Sequence, residues 1–292
     1  MCFKSSIVSY PDRGHWGNNK YRGNCSGHII KDFIQTYGNP NSLVVDPSIG
    51  GGTFMDVAKE LGVAYVGTDL HQGFNLLTDS LADEVAKHYQ TKANLVFWHP
   101  PYADMIKYSG NMYGEVNPYD LSQMGIETFG QFVQVALFNI YDALQDGGVY
   151  GVLIGNMRRK GRYYNLSSMI ERLAPGVLID EIIKTQHNNV SDSRQYTGNI
   201  VRIMHEKLLV FRKEKSVTPI APMRKRLEKH AENLVRSTIY ASCLGRKRVE
   251  LIQLYALVEP FGYMQEDVNI IVDEEVKARR LAITNQQQIY IP

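Results

Sequence analysis

Between Leu43 and Arg212, short apolar runs alternate with segments whose apolar residues recur every third or fourth position. Such alternation builds a mostly parallel sheet covered by helices on both faces, because parallel neighbours need a crossover rather than a hairpin. Strands are expected at Leu43–Asp46, Ala64–Gly67, Asn94–Trp98, Val149–Ile154, Leu178–Lys184 and Lys207–Arg212. The clearest helix is predicted from about Thr128 to Leu144, with Phe132, Val135, Ala136, Asn139, Ile140 and Ala143 as its apolar stripe and Gly147-Gly148 as its stop. The stretch His187–Ile203 is polar and too short for a crossover helix with loops, so the last two strands should pair antiparallel, at one edge of the sheet.

After Lys215 the pattern changes. Pro219 and Pro222 mark a linker, and Leu227, Ala231, Leu234, Val235 and Ile239 then share one helical face. The expected organisation is a main domain over 1–215 and a small helical appendage over 216–292, a candidate nucleic-acid-contacting region. Over all 292 residues the formal net charge is only +2, so affinity for a polyanion must come from local clusters. Arg224–Arg248 is basic and Glu250–Glu275 acidic. Cys2, Cys25 and Cys243 lie far apart, with neither zinc-site spacing nor a disulfide framework, so no metal is expected and a reducing compartment is. No segment approaches the roughly 20 apolar residues of a membrane span and no leader is seen, so the expectation is a soluble, cytoplasmic chain with no membrane partner.

Three constellations carry chemistry. Asp46-Pro47-Ser48-Ile49-Gly50-Gly51-Gly52-Thr53 follows a strand and precedes a helix, where glycines let backbone approach a ligand at the carboxyl edge of a doubly wound sheet. A tight strand-to-helix turn without a ligand would look the same. Asp69 ends the next strand, where a carboxylate can accept from both hydroxyls of a ribose; alone it could equally cap a turn. Asp79, further on, is either a contact to an adenine amino group or a solvated loop carboxylate. His99-Pro100-Pro101-Tyr102 follows the strand ending at Trp98, and its prolines end the ladder, stiffen the turn and leave the Pro100 carbonyl free to accept. Such a turn can hold an extruded base with Tyr102 stacked on its face, or be a plain structural turn.

In order and content these elements resemble the amino-methylating DNA methyltransferases, which act on adenine N6 or cytosine N4. The loop Asp46–Thr53 is similar to that family's Asp-Pro-Phe-x-Gly-Ser-Gly-Thr motif, with Ser48 in place of a bulky residue. His99–Tyr102 resembles its Asp/Asn/Ser-Pro-Pro-Tyr motif. Asn24–Ile34 resembles the loop and helix that close over the methionine end of the cofactor. The likeness runs over roughly residues 20 to 215. It implies a Rossmann-like fold and S-adenosylmethionine held by Asn24, Ser26, Asp46, Ser48, Gly50, Gly52, Thr53, Asp69 and Asp79. It also implies a catalytic turn of His99, Pro100, Pro101 and Tyr102. In the family the first side chain of that turn and the following proline carbonyl accept hydrogen bonds from the target amine; a neutral imidazole at 99 offers one acceptor nitrogen, a protonated one none. Arg158, Arg159, Lys160 and Arg162 after one strand, and Arg246, Lys247 and Arg248 in the appendage, are candidate phosphate contacts to a DNA partner. The expected function is methyl transfer to a base amino group in DNA by base flipping, adenine N6 preferred. The alternatives are an RNA methyltransferase and an inactive nucleic-acid-binding module.

Overall fold

The computed structural model describes residues 2–187, 200–215, 219–244 and 247–292, without the side chains of Ala221 and Phe261. The chain divides into two compact units, Met1–Ile220 and Ala221–Pro292.

The first unit is a seven-stranded sheet. Its strands are β1 (Ile7–Ser9), β2 (Leu43–Asp46), β3 (Ala64–Gly67), β4 (Ala93–Trp98), β5 (Leu144–Gly155), β8 (Val177–Thr185) and β9 (His205–Arg212), in the order β1-β8-β9-β5-β4-β2-β3. β2 and β4 are the central parallel strands, and the run Leu43-Val44-Val45-Asp46 is buried throughout, as a strand covered on both faces must be. All neighbours run parallel except those of β9, which pairs antiparallel with β5 and with β8. The antiparallel strand therefore lies inside the sheet, between β5 and β8, and the β8–β9 pair is not at the edge either, since the amino-terminal strand β1 adds beyond β8. Three residues between polar neighbours gave that strand no sequence signal.

Helices α1 (Gly27–Tyr37) and α2 (Thr53–Leu61) pack on one face, where Ile29, Phe33, Phe54 and Val57 meet Val44, Leu95 and Phe97. Helices α3 (Leu81–Tyr89), α4 (Ile126–Ala143) and α5 (Leu166–Leu173) cover the other face. The buried stripe of α4 is Phe129, Val133, Ala136, Leu137, Ile140, Tyr141 and Ala143, whereas Val135 is 44% exposed. The stripe is rotated from the expected one, running through Phe129, Val133 and Leu137 rather than Phe132 and Val135. Asn139 is no apolar substitute: its amide donates to the carbonyls of Leu76 and Asp79 and its oxygen accepts from the Leu81 N–H. A short hairpin of β6 (Met157–Arg159) and β7 (Arg162–Tyr164) leaves the carboxyl end of β5.

The second unit holds α6 (Ile220–Ser242), α7 (Leu251–Val258) and α8 (Gln265–Lys277) with a three-stranded sheet, β10 (Val249–Glu250), β12 (Gln288–Tyr290) and β11 (Ala282–Ile283), paired in that order. It is more than helical. Its core joins Val235, Ile239 and Cys243 to Leu254, Val268, Ile271 and Ile289, while Leu227 and Leu234 are exposed. Among the described residues no helix is long and apolar enough to cross a membrane.

Candidate active site

At the carboxyl edge of β2, β3 and β4 the chain opens into a cleft enclosing about 900 Å³, solvent at its mouth included. β2 leads into the glycine loop, which turns into α2 through Gly52, a left-handed N-cap with φ 83°. Gly50 has φ 46°, and a Cβ there would lie 2.8 Å from the Tyr21 ring, so conformation and close approach both require glycine. Asp69 ends β3 and is buried. One of its oxygens accepts from the Gly50 N–H at 2.8 Å, the other from the His71 N–H at 3.2 Å and from the His71 ring at 2.7 Å. The carboxylate therefore ties the glycine loop to the turn after the next strand, and Asp69 is part of the cleft lining.

Asp46 is buried beneath the loop and accepts from the Ser48 N–H at 2.9 Å. Burial pushes its carboxyl up to about 8, the Ser48 N–H opposing and the charge of Asp69 adding. The Ser48 hydroxyl, in the cleft wall, is buried with no hydrogen-bond partner in the protein. An orphaned donor in a glycine-lined cleft beside a carboxylate fits a polar, nucleoside-like ligand.

Of the residues predicted to hold the cofactor, the cleft brings together Asn24, Asp46, Ser48, Gly50, Thr53 and Asp69; Ser26, Gly52 and Asp79 stand outside its lining. Ser26 instead caps α1 through the His28 N–H, at 3.3 Å. Asp79 accepts from the Asn75 N–H at 2.7 Å and closes a turn.

The catalytic turn follows β4 into the same cleft, where His99 and Pro101 are lining residues and Pro100 and Tyr102 are not. Tyr102 does not offer its face to the cleft. Its hydroxyl donates to Glu206 Oε1 at 2.6 Å, and the Nε2 of His99 lies 3.0 Å from the same hydroxyl. Glu206 Oε2 accepts from Lys184 Nζ at 2.8 Å, and both charged residues are buried. They are register partners across β8 and β9. Burial opposes the charge on Glu206, but the neighbouring Lys184 ammonium holds its carboxyl at about 2. Burial lowers the His99 imidazole below its ordinary value and raises the Tyr102 phenol well above its own. Gly155 on β5 makes room, since a Cβ there would come 2.7 Å from the Tyr102 ring.

Tyr21, Tyr108, Tyr113 and Tyr119 also line the cleft, which the turn chemistry of the sequence did not reveal. Tyr21 and Tyr108 stack with centroids 6.0 Å apart. The loop carrying the last three is folded on Asp120, which accepts from the N–H groups of Ser109 at 2.9 Å and Ser122 at 2.8 Å. Asp120 and Glu206 could have drawn notice only as carboxylates beside apolar runs, a weak signal.

The basic residues divide. Arg159 forms a two-pronged ion pair with Asp104, its Nη1 at 3.0 Å, and so anchors the hairpin rather than a phosphate. Arg158 lies over the Tyr163 ring and Arg162 over Tyr164, each exposed, with exposed Lys160 at the tip. In the second unit Arg248 lies over Tyr290 and Lys247 is exposed; Arg246 falls outside the described residues. Arg224, Lys229 and Arg236 on α6 pair with Glu228, Glu232 and Glu275. Among the described residues no cluster of His, Cys, Asp or Glu could hold a metal ion.

Residues 2–78 match the family model described as DNA methylase. The likeness to that family extends over about a quarter of the chain. The matched segment contains α1, the glycine loop and Asp69, and stops short of the turn at His99. No curated protein matches the chain. Among solved structures, a protein assigned as a DNA modification methylase from Thermus thermophilus is 21% identical over 46% of this chain and 51% of its own, with a TM-score of 0.30. This chain thus spans about half of that relative's length. A protein assigned as an rRNA methylase from Clostridium thermocellum is 15% identical over 63% of this chain and 96% of its own, TM-score 0.36. A methyltransferase from Pyrococcus furiosus is 13% identical over 68% and 87%, TM-score 0.35.

Proposed function

We propose that the chain is an S-adenosylmethionine-dependent methyltransferase acting on an exocyclic amino group of a DNA base, adenine N6 in preference to cytosine N4. The observation that carries this reading is one cleft lined both by the glycine loop with Asp69 and by His99 and Pro101 of the Pro-Pro turn. Asp69, Asn24, Ser48 and Gly50 would hold the cofactor, with the orphaned Ser48 hydroxyl among its partners. When bound, S-adenosylmethionine supplies an electrophilic methyl group on a sulfonium centre. His99 and the Pro100 carbonyl accept hydrogen bonds from the target amine, orienting its lone pair toward the methyl group. Tyr108, Tyr113 and Tyr119 supply the stacking surface for an extruded base. Arg158, Lys160 and Arg162 lie on the hairpin after β5 and meet phosphate.

Labelled methyl transfer from the cofactor to unmethylated DNA, to RNA and to neither separates the alternatives, and base-resolved sequencing of the product gives base and site together. Label in DNA on an exocyclic amine is the expected result. Label in RNA alone would move the substrate class, and cofactor binding without transfer to any nucleic acid would favour a binding module.

A further inference from the structure

Behind His99 a polar chain runs through Tyr102 to the buried pair Glu206 on β9 and Lys184 on β8, charges that are costly to bury in an apolar sheet. Its hydrogen bonds can be assigned one proton at a time. Glu206 is salt-bridged to Lys184, so its carboxylate has no proton to give, and the 2.6 Å bond to Tyr102 must use the phenol's proton. A phenol has one. Having given it to Glu206, the Tyr102 oxygen can only accept from the Nε2 of His99, 3.0 Å away. Nε2 therefore carries the imidazole proton, and in a neutral ring Nδ1 is bare. No protein donor meets Nδ1 among the described residues, and His99 lines the cleft.

We propose that Glu206, paired with Lys184, is the positioning residue of this site: through Tyr102 it fixes the His99 proton on Nε2 and presents Nδ1 as the acceptor for the target amine. This rests on the reading of His99 as that acceptor. A family-type Asp or Asn needs no such support, since its oxygen accepts in any state that leaves it unprotonated. Imidazole accepts at Nδ1 in only one of its two neutral tautomers, so a residue that selects the tautomer becomes part of the machinery. The titratable groups facing His99 are Glu206 from β9, Lys184 from β8 and Tyr102 from its own turn. Burial keeps the ring neutral at neutral pH, as the role demands.

The test is nitrogen-15 NMR of the full chain labelled in histidine, His99 being assigned by its disappearance in His99→Asn, alongside single-turnover methylation of unmethylated DNA. The parent should show a protonated Nε2 and a bare Nδ1. In Glu206→Gln the amide turns its oxygen to Lys184 and its NH₂ to Tyr102; the phenol then donates to Nε2 and the proton moves to Nδ1. Methyl transfer should fall at least tenfold while the cofactor Kd stays within twofold. Tyr102→Phe breaks the relay without disturbing the Lys184–Glu206 pair, so it guards against misfolding; it should give mixed tautomers and a smaller loss, in proportion to the fraction of rings in which Nδ1 is no longer bare. A parent protonated on Nδ1, or both variants retaining the Nε2 proton, would overturn the relay even with His99→Ala inactive. Tautomers that shift while methyl transfer is unchanged would instead overturn the acceptor role of His99, and the proposal with it.

Discussion

Asp46 is a carboxyl that its surroundings prefer neutral. Because burial raises it to about 8, ionisation costs the folded chain. The sign is the reverse of a salt-bridged aspartate: the stability present below the unfolded value, about 4, is lost as pH rises through 8. Asp46→Asn keeps the acceptor for Ser48 and removes the charge, so in urea unfolding it should gain about 2 kcal/mol or more on the parent between pH 5 and pH 9. A stability difference independent of pH would mean the parent carboxyl is charged and solvated throughout. Asp69→Ala removes charge-assisted hydrogen bonds of about 1.5–3 kcal/mol each, so cofactor affinity should fall at least tenfold by calorimetry. Unchanged affinity would place the ribose elsewhere. For His99, an acceptor role requires the neutral ring. The single-turnover rate should rise with pH through a value below the ordinary ~6.5 and be flat above neutrality; a rate that falls over that range would exclude imidazole as the acceptor.

The β6–β7 hairpin is where charge and aromatic surface meet at the scale of an element. Its anchor is Arg159 on Asp104, which leaves Arg158, Lys160 and Arg162 exposed. Replacing these three with glutamine should weaken binding to every DNA sequence and flatten its salt dependence by about 0.9 per lost phosphate contact, sequence preference surviving. An unaltered slope would make the hairpin a structural element or a protein contact. Sequence reading grouped all four cations together because it could not see Asp104, a partner supplied by the turn after Tyr102.

On the scale of the whole molecule, the second unit carries Glu266, Asp267, Asp273 and Glu274 at exposed positions of α8. Phosphate repels such a helix. Any DNA contact by this unit falls to its other surfaces, and glutamine at Lys247 and Arg248 measures it: a salt slope flattened as by the hairpin variant would show both units on DNA, an unchanged one the hairpin alone. By itself the sequence determined the parallel sheet, the glycine loop, Asp69 and the Pro-Pro turn, since period, turn chemistry and strand-end position are properties of neighbours along the chain. The phase of α4, the inward place of β9 and the bond from Tyr102 to Glu206 were decided only by the tertiary structure. The register of β8 against β9 sets Lys184 opposite Glu206, and the gap at Gly155 lets the Tyr102 ring reach them. Contacts between residues so far apart in sequence depend on how strands pair and stack, which no local pattern encodes.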